Sequence, residues 1–147
     1  MAKNIALTEN DVVEAVAAYL KTQGYNIEQA LTTEKRGIDI VARHCVTDEW
    51  LFVEAKGGTS SKEKTSRFGK PFTSNQAKTH VSVALYFAAK LYHYHSSENV
   101  KVALALPGDL VHRGLIDDIR SVLDALSISV FFVGDDDKWV TEEPARR

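Results

Sequence analysis

A mixed α/β fold, with a sheet antiparallel at first, parallel later and flanked by helices, is what this 147-residue sequence predicts. Three observations lead there. The spacing of apolar residues switches from helical to alternating after Gly24, and becomes helical again only after residue 73. Three strand-like runs follow one another across short gaps, as hairpins allow, whereas the later two are separated by helical segments, as parallel pairing requires. At 44% hydrophobic and 26% charged residues, the chain has the balance of one ordinary domain with a core, spanning 1–147.

The elements follow in order. Thr8, with Asp11 three residues on, makes a capping box with Asp in place of Glu. Val12, Val13, Val16, Tyr19 and Leu20 then recur at helical spacing, and Gly24 supplies a left-handed stop, so the first helix covers about 9–23. Tyr25 to Leu31, Ile38 to Ala42 and Trp50 to Lys56 read as three strands. Residues 57–73 hold Gly, Ser, Thr, Lys and Pro71 and form a long loop, a feature that in a compact domain is more often functional or mobile. Ser74 can cap a second helix running to about His93, with Val81, Ala84, Leu85, Ala88 and Leu91 on its apolar side. A strand from Val100 to Leu106 ends at Pro107-Gly108, a third helix spans about 111–125, and a last strand runs from Ile128 to Val133, closed by Gly134-Asp135.

Composition narrows the classes of function. No apolar run approaches the roughly 20 residues of a bilayer span and the first residues are not a secretion segment, so no membrane partner and a cytoplasmic location are expected. The single cysteine, Cys45, excludes an internal disulfide and a cysteine-based zinc cluster, and it is expected to be small and at least half buried. The net charge of −2 does not itself announce a polyanion partner. Its distribution is uneven, as a solvated surface face or a polyanion-binding one would be. Lys56, Lys62, Lys64, Arg67, Lys70 and Lys78 stand against one acid, Glu63, while both ends of the chain are acidic.

The residues that carry chemistry lie just before this basic run. In Trp50-Leu-Phe-Val-Glu54-Ala-Lys56, the strand period puts Glu54 and Lys56 on one face. Asp39 sits among apolar neighbours on the preceding strand, where a lone carboxylate needs a partner. If the two strands pair as a hairpin, Asp39 and Glu54 come within reach of a single divalent cation, and two carboxylates plus waters is how Mg²⁺ is commonly held. A cross-strand salt bridge of Lys56 with either acid is the plain alternative. Gly57-Gly58 directly afterwards would let the backbone turn away and another molecule approach.

Gly37-Ile38-Asp39 followed by Val53-Glu54-Ala55-Lys56 resembles the core signature of the PD-(D/E)XK nuclease superfamily, which includes restriction endonucleases and Holliday junction resolvases. The likeness covers about residues 8–95 and implies a restriction-endonuclease-like αβββαβ core. It implies a metal-dependent DNA endonuclease, with Asp39, Glu54 and the Ala55 carbonyl as ligands of Mg²⁺ or Mn²⁺. Lys56 would steady the attacking water and the charge on the phosphate. Gln76 would sit beside the phosphate, or else be an exposed polar residue at a helix start. Glu14 would be the helix-one glutamate near the metal-bound water, although its helical angle puts it on the solvent side. The proline that the family carries before the aspartate is Ile38 here.

DNA is the implied partner, with Lys62, Lys64, Arg67, Lys70 and Lys78 against its phosphates and Phe68 and Phe72 among them. A non-catalytic DNA-binding or scaffold member of the same fold is one alternative. A chance motif on a domain that binds protein through its second helix is another. The five histidines show no ligand spacing, and Asp135-Asp136-Asp137 lacks the surroundings of a calcium loop and suits a solvated turn. Tyr86, Phe87, Tyr92 and Tyr94 exceed what one helical stripe needs and suggest a homodimer.

Overall fold

A computed structural model describes residues 6–31, 37–59, 70–96 and 99–146. Thr8 does cap α1 (Glu9–Thr22): its hydroxyl accepts from the Asp11 amide at 3.1 Å, and Asp11 answers from its carboxylate to the Thr8 amide at 2.9 Å. Gly24 follows the helix with φ +90°, a conformation open chiefly to glycine. The chain then runs through β1 (Tyr25–Ala30), β2 (Ile40–His44) and β3 (Trp50–Ala55), crosses to α2 (Ser74–His95), and returns as β4 (Val100–Pro107). Two short helices, α3 (Leu110–Asp117) and α4 (Arg120–Ala125), lead to β5 (Ile128–Val133) and β6 (Val140–Glu143).

The six strands form one sheet in chain order. β1–β2, β2–β3 and β5–β6 pair antiparallel, and β3–β4 and β4–β5 pair parallel. This is the mixed sheet expected from hairpins early and helical crossovers late. Alternation along the central strands divides the core. Ala42, Val53, Ala55, Ala103, Ala105, Phe131 and Val133 face α1, and the small side chains among them let that helix sit close. Leu104, Leu106, Val130 and Phe132 face α2, α3 and α4 through Val81, Ala84, Ala88, Ile116 and Leu123. Helices therefore cover both faces of the sheet. Among the described residues, no helix is long and apolar enough to cross a membrane.

Four details differ from the sequence expectation. The expected helix 111–125 is broken at Asp118-Ile119, where Ile119 leaves helical geometry (φ −124°, ψ 17°). Arg120 beyond the break pairs locally with Asp117 and, across the fold, with Glu143 of β6, a contact that only the folded chain provides. β6 was not foreseen, because Val140-Thr-Glu-Glu buries one side chain and shows no alternation; its partner β5 supplies the hydrogen bonds. The cap of α2 is Thr73, one residue before Ser74, with Gln76 completing a capping box. Cys45 is exposed in the turn after β2, where burying its sulfur would require a neighbour that the turn does not supply.

Candidate active site

The parallel strands β3 and β4 end at the same edge of the sheet, where open α/β sheets present ligands beyond their strand C-termini. β2 begins there too, because it runs antiparallel to β3. Its last ladder pair on this side is Ile40 with Val53, so Asp39 stands one residue beyond, opposite Glu54. Where β2 would supply the next backbone acceptor, the Asp39 carboxylate takes its place and accepts from the Ala55 amide at 2.8 Å. The partner that Asp39 needed is thus partly the backbone. N–H and C=O of one strand residue point to the same side, so the Ala55 carbonyl also faces the Asp39 edge.

Glu54 is buried, 9% exposed, and its carboxyl is hydrogen-bonded to that of Asp39. Burial, then the Asp39 charge beside it, push Glu54 up to about 8, while Lys56 pulls the other way. Asp39 is also raised, by burial, against the opposing Ala55 amide, Lys56 and the hydrogen bond from Glu54. Burial raises both acids, and each one's charge opposes the other's, so the pair as a unit resists carrying two negative charges.

A third carboxylate reaches this cluster. Glu9, first residue of α1, lies 4.0 Å from the Lys56 ammonium and is raised by burial and by Asp39, with Lys56 lowering it. Lys56 is therefore flanked by acids from two elements. Glu14 is exposed on the outer side of α1, away from the cluster, so the acid that α1 brings to it is Glu9. The signal for Glu9 was available: as the first residue after the Thr8 cap it lies at the helix end nearest the sheet edge, but helical angle alone cannot rank a first-turn residue.

Gly57 explains how the two elements meet. A Cβ there would lie 2.3 Å from the Glu9 amide nitrogen and 2.6 Å from the Thr8 carbonyl carbon, and Gly58 donates to the Leu7 carbonyl at 2.7 Å. The close approach that the glycine pair permits is made by the chain's own α1 start, which occupies the space expected for another molecule. Phe72 closes the far side by donating its amide to Gly58 at 2.8 Å and stacking on His80 of α2, with ring centroids 4.5 Å apart.

The other expected residues divide. Gln76 is half buried near this end of α2, and its side-chain oxygen accepts from the Thr73 amide at 2.9 Å, so the cap already uses it. Lys70 and Lys78 are exposed. Lys62, Lys64, Arg67 and Phe68 lie outside the described residues. The histidines, set aside on spacing, include one with a defined environment. Buried His112 joins Asp109 through Nδ1 at 2.7 Å on this same edge, just past β4, and its Nε2 makes no hydrogen bond among the described residues. Asp137 closes the β5–β6 turn by accepting from the Trp139 amide at 2.9 Å, consistent with a turn role for the triple aspartate.

Among the described residues, no three His, Cys, Asp or Glu side chains form a group that could hold a metal ion by themselves. A hollow of about 670 Å³ lies elsewhere, between α1 and the β5–β6 turn, and its lining includes neither Asp39, Glu54 nor Lys56. The chain matches no family model, no curated protein and no solved structure. What can be said of its chemistry rests on the residues themselves.

Proposed function

We propose that this protein is a divalent-metal-dependent DNA endonuclease of the PD-(D/E)XK type. The observation that supports it most is the carboxylate pair, Asp39 and Glu54, held side by side at one sheet edge with Lys56 next to them. A salt bridge alone would leave both acids ionised and satisfied. Here burial and mutual charge raise the proton affinity of both acids, an environment that a bound cation would relieve.

The donor set suits Mg²⁺ or Mn²⁺. Two carboxylates and a carbonyl, Asp39, Glu54 and Ala55, leave positions for water and for substrate oxygens, the way Mg²⁺ is usually bound when a protein offers no complete cage. When bound, the ion supplies a water of lowered pKa and positive charge for the phosphoryl oxygens. Asp39, fixed by the Ala55 amide, would orient the set, and Glu54 would supply its second carboxylate. Lys56 holds an ammonium beside the position of the phosphate, where charge develops in the transition state. Glu9 restrains that ammonium from the α1 side.

The test is cleavage of supercoiled plasmid and branched DNA with Mg²⁺, Mn²⁺ or EDTA. Wild type is expected to cut with metal only, and Asp39→Asn and Lys56→Ala to lose at least about 100-fold in rate, as removal of one preorganised charge does, while melting normally. Equal cutting by Lys56→Ala would refute the assignment and return Lys56 to a salt bridge.

A further inference from the structure

The outer face of α2 is continuous, exposed and unusual in charge. Buried Ala77, Val81, Ala84 and Ala88 mark its inner side. At 100° per residue, Thr79, Ser82, Val83, Tyr86, Lys90 and Tyr94 fall within an arc of about 120° on the opposite side, and all six are exposed. Tyr86 and Tyr94 are 65% and 66% exposed. The 22 residues of α2 contain no Asp or Glu, although at the chain's 20 acids in 147 residues about three would be expected. The rings are also steadied: Tyr86 packs edge-on against Phe87 at 5.6 Å and Tyr94 against His93 at 5.1 Å. A groove of about 400 Å³ opens between Lys78, Thr79, Ser82, Val83 and Tyr86, wide enough for a planar base.

From this geometry we propose that the outer face of α2 binds an unpaired stretch of nucleic acid, with bases stacked on Tyr86 and Tyr94 and phosphates on Lys78 and Lys90. The inference rests on the nuclease reading for its substrate class and narrows that class to DNA with a single-stranded part. Position supports it: the N-terminal end of α2 abuts the candidate site through Phe72 and His80, so a strand leaving that site meets Lys78 first. Spacing supports it too. Tyr86, Lys90 and Tyr94 are each four residues apart, about 6 Å along the axis, which alternates ring, cation and ring on a strand's own scale. Duplex DNA keeps its base faces stacked on one another and offers them to no side chain, whereas unpaired bases stack on aromatic rings. A second copy of this chain fits the face less well, because a two-fold contact would bring together two faces that each carry Lys78 and Lys90 and no acid to offset them.

The experiment titrates the full-length protein into fluorescein-labelled 20-nucleotide single strand and 20-base-pair duplex in EDTA, read by anisotropy, with light scattering on the same samples. Tyr86→Ala/Tyr94→Ala is expected to weaken single-strand binding at least about five-fold, to leave duplex binding within two-fold, and to melt as wild type, since both rings are exposed. Tyr86→Trp/Tyr94→Trp should restore affinity. Single-strand binding unchanged in the alanine pair, an equal loss on duplex, or no binding of single strand by wild type would each overturn the proposal. So would a wild-type dimer that Tyr86→Glu/Tyr94→Glu dissociates without touching affinity, which assigns the face to a second copy. Ring-dependent binding by a protein that cuts no DNA with Mg²⁺ or Mn²⁺ would sink the nuclease reading and keep this one.

Discussion

Glu54 carries the sharpest consequence at the scale of single residues. Its proton affinity is higher folded than unfolded, with an ordinary value near 4.5 and a folded value of about 8. The folded state therefore binds more protons across that window, and stability falls as pH rises from about 5 to 8. In EDTA the melting temperature should drop over this range by at least about 3 °C, the shift that roughly 1 kcal/mol produces in a domain of this size. Glu54→Gln should flatten the profile. A melting temperature that rises with pH in EDTA would contradict the raised proton affinity. Gly57 is the second residue whose chemistry is decided locally. Gly57→Ala drives a methyl into the backbone of Thr8 and Glu9, so it should destabilise by about 1–3 kcal/mol and slow cleavage by moving Glu9 off Lys56. Gly58→Ala meets only the Pro107 ring at 3.3 Å and should be far milder, a contrast that paired melts will read.

At the scale of elements, the segment between β3 and α2 holds the concentrated positive charge, of which Lys70 is exposed. If Lys62, Lys64, Arg67 and Lys70 meet phosphates, replacing all four should flatten the slope of log affinity against log salt on duplex by up to about 3–4. An unchanged slope in an anisotropy titration would make the segment an ordinary solvated surface. The helices on either side show how far local signals reach. Thr8 with Asp11, and the stop at Gly24, were legible because a capping box and a left-handed glycine are set by residues three or four apart. At α2, Thr73 and Ser74 are both good caps, and the choice went to the one whose third residue, Gln76, can reach back. Neighbouring sequence alone did not separate them.

For the molecule as a whole, the sheet is the frame, and its two sides are filled differently. Phe131, 2% exposed, is the large side chain among alanines and valines on the α1 side, edge-on to Tyr19 with centroids 6.0 Å apart. Phe131→Ala should cost about 3–5 kcal/mol in urea unfolding at unchanged m, because the alanine-rich face has no neighbour able to fill the space. A loss under 1 kcal/mol would mean that α1 collapses onto the sheet. The same frame gathers Glu9, Asp39, Glu54, Lys56 and the Asp109–His112 pair at one edge, although they come from four separate parts of the chain.

The amino-acid sequence by itself determined the α/β class, the hairpin-then-crossover order and the facing of Asp39 and Glu54, because each depends on periodicity or on the register of adjacent strands. Tertiary structure alone decided the rest. Glu9 rather than Glu14 came to Lys56 because α1 docks its first turn on Gly57, an approach between residues 48 positions apart. The break between α3 and α4 is accompanied by ion pairs of Arg120 that reach the far end of the chain, and β6 formed on hydrogen bonds from β5 rather than on its own pattern. The raised proton affinity of Glu54 follows from burial together with a neighbouring charge, and burial is a property of the packed molecule that no local pattern encodes.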